Sequence, residues 1–242
     1  MPQDHSSAEA FGRLATELQD ADGVDLTVEA VVQFALQAVW CTYASVVLVG
    51  RGRKPQIMAL TDPRLAKLDE TQIQAADGPL LTVIRDQAAL LIPDIAADRR
   101  WPGAWADALI GEGIRSAIHL PLLVGGSARA VLSLYSGEPN GFDTDDLAVA
   151  HILADHAAVA IAGARREVDL AHAADARNLV GQAIGILMER YDLDNARAFA
   201  VLKRYSQDNN RKLRDVAQEL IDTRKLSNRP IRTDQGPAAR DA

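Results

Sequence analysis

Ser116-Ala117-Ile118-His119-Leu120-Pro121-Leu122-Leu123 and Arg129-Ala130-Val131-Leu132-Ser133-Leu134-Tyr135 are two apolar, strand-length runs joined through Gly125-Gly126. Two such runs around a glycine pair predict a β-hairpin. Working upstream, Ala89 to Ile92 reads as a strand stopped by Pro93. Ala44 to Val49 is short and β-branched, and Gln56 to Leu60 is its returning partner across the basic turn Gly50 to Pro55. Between these strands lie segments of helical character. Phe11 to Leu18 and Val28 to Val39 place apolar residues at helical spacing. Pro63 to Ala75 is a further helix, and another begins after Gly78-Pro79, where proline suits a first turn. Arg99 to Gly113 reads as irregular or short-helical. Strands interleaved with helices predict an α/β or α+β sheet domain.

Downstream of the hairpin the pattern changes. From Asp143 to Tyr191 there is no proline, and apolar residues recur at helical spacing: Leu147, Ala150, Leu153, Ala154, Ala157, Ile161, then Leu179, Val180, Ala183, Ile186, Leu187. This predicts a long signalling helix or coiled coil, with a break near Gly163 or Ala173 as an alternative. Two shorter amphipathic helices follow, Asn195 to Tyr205 and about Leu213 to Leu226. Residues 227–242 are poor in apolar side chains and read as a disordered tail.

Of the 242 residues 48% are hydrophobic and only 5% aromatic, so the cores must be built from Ala, Val, Leu and Ile. No apolar run approaches the ~20 residues of a membrane span, and no signal peptide is visible at the start. One cysteine, Cys41, excludes an internal disulfide framework or a multi-cysteine metal site. A cytoplasmic protein is the expectation. The net charge of −7 is unevenly spread: residues 1–164 carry 11 Lys and Arg against 21 Asp and Glu, and residues 165–242 carry 15 against 12. The acidic front repels polyanions, whereas the basic rear can attract them.

Three blocks of the first half, Ile92-Pro93-Asp94 to Arg99-Arg100-Trp101-Pro102, Gly113-Ile114-Arg115-Ser116 to Pro121-Leu122, and Leu132-Ser133-Leu134-Tyr135-Ser136 to Phe142-Asp143, together resemble a GAF domain over about residues 9–164. The resemblance implies a central antiparallel sheet of five or six strands, flanking helices and a cup on one face that takes a small-molecule or protein signal. The signature of cyclic-nucleotide-binding GAF domains is not found. In the second half, Arg177-Asn178-Leu179-Val180-Gly181-Gln182-Ala183-Ile184-Gly185-Ile186-Leu187-Met188-Glu189-Arg190-Tyr191, Ala198 to Ser206 and Asn209 to Ala217 resemble an ANTAR domain over about 168–226, an all-α three-helix unit. That resemblance implies RNA binding and transcription antitermination, with two short hairpins held against a terminator. The common pattern has Lys where this chain has Ile184, which removes one possible phosphate ligand.

The expected RNA-binding residues are Arg177, Gln182, Lys203, Arg204, Tyr205, Ser206, Asn209, Asn210, Arg211, Lys212 and Arg214. Lys and Arg meet phosphates, Asn reads base edges of unstacked nucleotides, and Tyr205 offers a stacking face. The bland alternative is a solvated helix surface in which the asparagines cap helix ends. Gly181 and Gly185 read as a site of close helix–helix packing, and Leu187 and Met188 as core. Asp94 and Asp98 look like a carboxylate pair, although loop capping is the simpler reading. His119 falls on a strand that can face the cup, and Cys41 reads as buried and inert. No nucleophile–base grouping, phosphate loop or metal-ligand spacing appears, so neither an enzyme nor a cofactor is expected. The sequence thus describes a homodimeric sensor–helix–RNA-binding regulator in signal transduction. A DNA-binding regulator and a pure dimerisation or interaction protein are the rivals.

Overall fold

The computed structural model describes residues 12, 14, 16–18, 21–49, 54–125 and 129–226. The disordered-tail expectation and most of the basic turn lie outside them, while the described residues among 11–18 are helical. The chain divides into two compact units, with the boundary between Val168 and Asp169.

The first unit is built on five strands: β1 (Tyr43–Val49), β2 (Gln56–Leu60), β3 (Leu90–Ile92), β4 (Ser116–Leu122) and β5 (Arg129–Ser136). They form one sheet in the order β2-β1-β5-β4-β3, antiparallel at every pairing. Helix α1 (Gly23–Ala38) precedes β1, α2 (Arg64–Ala75) and α3 (Pro79–Asp86) lie between β2 and β3, α4 (Ala104–Gly111) lies between β3 and β4, and α5 (Thr144–Tyr191) follows β5. The irregular stretch after Arg99 therefore contains a two-turn helix.

Because side chains alternate across a pleated sheet, the two faces acquire different cores. On one face Ala44 and Val46 of β1, Ile118, Leu120 and Leu122 of β4, and Ala130, Leu132 and Leu134 of β5 meet α1 through Val28, Val31, Val32 and Ala35. The same core takes Ala150, Leu153, Ala154, Ala157 and Ile161 of α5. On the other face two apolar clusters flank a polar centre. One joins Leu65, Leu68, Ile92, Trp105, Leu109 and Ile114, and the other joins Val47, Leu80, Val83 and Val131. The register aligns Ser45 with Ser133 and Ser133 with His119, so three polar side chains cross the middle of this face in one row.

Helix α5 is continuous over 48 residues, so the break considered near Gly163 or Ala173 is absent. Alanines fill its exposed middle (Ala171, Ala173, Ala174, Ala176), and alanine has the highest intrinsic helix propensity. One 18-residue window of α5 has mean hydropathy 1.6, which by length and composition is enough to cross a membrane. The sequence expectation missed this because charges interrupt the run. The inward side chains of α5 are instead part of the sheet core.

The turn into α3 depends on one glycine. Gly78 holds φ +132° and ψ 171°, a conformation in practice confined to glycine. A Cβ there would lie 2.5 Å from Gln72 Oε1, which itself accepts the backbone N–H of Leu80 at 2.9 Å. Gly78→Ala is expected to destabilise the sheet unit by at least about 1–3 kcal/mol, read as a lowered urea midpoint with an unchanged slope.

Candidate nucleic-acid interface

The second unit packs the C-terminal part of α5 against α6 (Asn195–Asp208) and α7 (Leu213–Thr223). Ala183, Ile184 and Leu187 from α5, Ala198 and Leu202 from α6, and Val216, Ala217 and Leu220 from α7 form its core. Met188 packs beside them. Ile184, the position where a lysine was expected, is 8% exposed. Its side chain contributes to packing and offers nothing to a phosphate.

The α5–α6 turn passes through Asp192 in the left-handed region, and the Asp194 carboxylate caps α6 by accepting the N–H of Arg197 at 2.8 Å. The α6–α7 junction is tied more tightly. Asn209 Nδ2 donates to the Tyr205 carbonyl at 2.9 Å, and Ser206 Oγ donates to the Arg211 carbonyl at 2.5 Å. The Arg211 N–H returns to the Ser206 carbonyl at 2.9 Å, across Asn210 at φ 48°. Arg211 also pairs with Glu219, which holds its guanidinium charge more firmly.

These contacts sort the residues expected from sequence. Ser206 is buried, Tyr205 is partly buried against the core, and Asn209 caps α6, so the capping alternative describes part of the cluster. Lys203, Arg204, Asn210, Arg211, Lys212 and Arg214 are all at the surface, on the end of α6, the α6–α7 junction and the start of α7. Arg204 leans toward Asp208 at 3.5 Å, a weakly held surface pair. Arg177 and Gln182 lie at the surface of α5, where Gln182 lies beside Ile221 and Arg224 at the far end of α7. The glycine pair does not fit its expected role. Gly181 and Gly185 are both exposed, and a Cβ on either would meet nothing within 4 Å.

In the sheet unit, the polar row centres on a carboxyl group that sequence reasoning missed. Asp69 of α2 is fully buried and accepts Ser45 Oγ at 2.9 Å and Tyr135 OH at 3.4 Å. Burial pushes its pKa up to about 6, against the lowering effect of these two hydroxyls. His119 Nδ1 lies 2.9 Å from Ser133 Oγ, and its ring meets Tyr135 edge to face at 5.6 Å. Burial lowers the His119 pKa to about 3, so the ring is neutral. The Nε2 atoms of His119 and Gln72 have no hydrogen-bond partner among the described residues. Ser45, Ser133 and His119 alternate with apolar neighbours along their strands, which is the sequence signal for a shared face. Asp69 sits on a helix and carries no such signal.

The remaining candidates behave simply. Asp94 accepts the Ala96 N–H at 3.1 Å and pairs with Arg115, and Asp98 accepts the Arg100 N–H at 2.8 Å and its guanidinium, so both cap their loop. Cys41 is buried, with its thiol pushed up to about 12 by burial. Among the described residues no three His, Cys, Asp or Glu side chains converge as a metal site.

Comparison with known proteins divides the chain at the same place. A GAF domain model matches residues 24–162, more than half of the chain, and an ANTAR domain model matches 168–221. The fold is similar to the GAF domain of a phosphoenolpyruvate-protein phosphotransferase from Coxiella burnetii. That match has 17% identity, covers 67% of this chain and 96% of that one, and has a TM-score of 0.54. It is also similar to an N-acylhomoserine lactone dependent LuxR family transcription factor from Burkholderia cenocepacia, at 15% identity, 65% and 97% coverage and TM-score 0.53. A third similar structure is free methionine-R-sulfoxide reductase from Neisseria meningitidis, at 14%, 66% and 91%, and 0.53. No curated protein sequence matches the chain.

Ser206→Ala leaves the Arg211 carbonyl without its buried donor and is expected to lower stability by about 1–3 kcal/mol, measured by thermal denaturation of the full chain. Asp69 and His119 make stability pH-dependent with opposite signs. The Asp69 pKa is raised from 3.8, so its contribution is complete below pH 3.8 and is lost as pH rises through about 6. The His119 pKa is lowered from 6.5, so its contribution is present above pH 6.5 and is lost as pH falls toward 3. Asp69→Asn should therefore gain about 2–3 kcal/mol relative to wild type between pH 4 and pH 7, read from urea unfolding at the two pH values.

Proposed function

We propose, from the premise that this chain belongs to the GAF domain family and carries an ANTAR domain behind it, that it is a cytoplasmic RNA-binding transcription antitermination regulator. In this reading it is not an enzyme. One observation carries the reading: the ANTAR match at 168–221 covers a three-helix unit in which Lys203, Arg204, Lys212 and Arg214, on either side of the α6–α7 junction, are exposed. Phosphate binding by these residues supplies affinity, while Asn210 and Gln182 read unstacked bases. Arg177 and Arg211 add charge at its margins, Arg211 through the half of its guanidinium not held by Glu219.

The RNA target is a pair of short hairpins, which two copies of the unit grasp together. A homodimer fits the exposed apolar seam of α5. Ile152, Val159 and Leu170, seven and then eleven residues apart, fall on one side of the helix, with Val159 74% exposed. The sheet unit is the sensor. A small molecule or protein signal acts by binding two states of the dimer unequally and so shifting their populations.

Lys203→Ala combined with Lys212→Ala should reduce the salt slope of hairpin binding by about 0.7–0.9 for each phosphate that is no longer neutralised, with helix content unchanged. The check is a salt titration of full-chain binding to two-hairpin RNA and to duplex DNA of the same sequence. Equal affinity for the duplex would favour a DNA-binding regulator. Wild-type affinity in the double variant at every salt concentration would remove this face from the RNA interface.

A further inference from the structure

A groove of about 440 Å³ lies between the end of α5 and the end of α7, lined by Gln182, Gly185, Ile186, Glu189, Arg190, Ile221 and Arg224. Its chemistry is graded. Ile186 and Ile221 are half-buried members of the three-helix core and form an apolar floor. Gln182, Glu189, Arg190 and Arg224 stand around it. Arg190 Nη1 donates to the Arg224 carbonyl, which fixes one guanidinium at the groove edge. The Arg224 backbone is left-handed at φ 56° where α7 ends, which turns the chain aside there. Gly185 lines the opening without a side chain of its own. A Cβ at Gly185 would meet nothing within 4 Å, and Gly181, one turn earlier on the same helix, is equally open. Glycine lowers helix stability, and among the described residues no close packing compensates at either position.

We propose that this groove receives a single unstacked base from the loop of a bound RNA hairpin. The inference rests on the RNA-binding reading above and gives it a base-recognition site distinct from the α6–α7 cationic cluster. A base is flat, apolar on its faces and polar at its edge. The isoleucine floor meets one face, and the missing side chain at Gly185 lets the nucleotide approach the helix. Gln182 donates to and accepts from the base edge, and Glu189 accepts from an exocyclic amine or ring N–H. Arg190 and Arg224 meet the flanking phosphate. Glu189 disfavours a bare phosphate in the groove centre, which selects a nucleoside there with its charge at the arginine end.

The test uses the full chain and an RNA selected from a pool of two-hairpin RNAs with randomised loops, followed by abasic substitution at each loop position. One abasic position should weaken wild-type binding by about tenfold, as loss of one stacked base does. Gly185→Met puts a side chain into the groove beside the isoleucine floor. It should weaken binding of the intact RNA by a similar factor and abolish the penalty of that abasic position, while the thermal midpoint stays level or rises. Gln182→Ala should reduce base discrimination at that position without changing the salt slope. The proposal is overturned if Gly185→Met binds like wild type or keeps the wild-type abasic profile. It is also overturned if that variant changes the sedimentation coefficient of the free protein, since the groove would then be covered by a second copy. If Lys203→Ala with Lys212→Ala loses RNA while Gly185→Met does not, the RNA-binding reading stands and the groove assignment alone fails. If no RNA in the pool binds wild type better than duplex DNA does, both fail.

Discussion

One helix has to complete two hydrophobic cores. The first half of α5 contributes Ala150, Leu153, Ala154, Ala157 and Ile161 to the sheet unit, and its last turns contribute Ala183, Ile184 and Leu187 to the three-helix unit. Neither unit closes its core without these residues. Between them, side chains 166–175 are exposed, and only helix propensity and backbone hydrogen bonding hold that stretch. Local helix stability falls where tertiary packing is missing. The middle of α5 is therefore where the chain can alter its helical state at least cost to either core.

The two units use polar residues in opposite ways. The sheet unit buries them: Asp69, Ser45, Tyr135, Ser133 and His119 lie between two apolar clusters. A buried carboxyl without a cationic partner is expensive, and two hydroxyl donors offset only part of that cost. The three-helix unit keeps its charges outside, on a frame fixed by Ser206, Asn209 and Asp194.

The fold was legible where hydrophobic periodicity spoke clearly. The hairpin from Ser116 to Tyr135, the strands at Ala44 and Gln56, and the helical run from Asp143 all reappear as β4, β5, β1, β2 and α5. The continuity of α5 was not legible, because Gly163 and the alanine-rich stretch after it carry no apolar stripe that favours either outcome. At the α6–α7 junction the composition announced a cationic cluster. It could not separate Lys203 or Lys212, which face solvent, from Ser206, whose hydroxyl is turned inward to a carbonyl. Ile184 illustrates the same limit: the missing lysine was visible, but its burial depends on which side of α5 meets α6 and α7. Asp69 stayed hidden because its partners Ser45 and Tyr135 come from strands far away in the chain, and nothing near it announces the pairing. Gly181 and Gly185 suggested packing, whereas the structure leaves open space above both.

A regulator that reads RNA through the second unit should show that preference without any assumption about the target. The most direct measurement is to crosslink the full chain to RNA in cells of its source, then purify the protein and sequence the attached RNA. The account predicts strong enrichment of transcripts carrying two neighbouring short hairpins ahead of a terminator, with crosslinks concentrated in the loops. Recovery of RNA with no enriched structural class, or a profile matched by residues 1–164 alone, would contradict it.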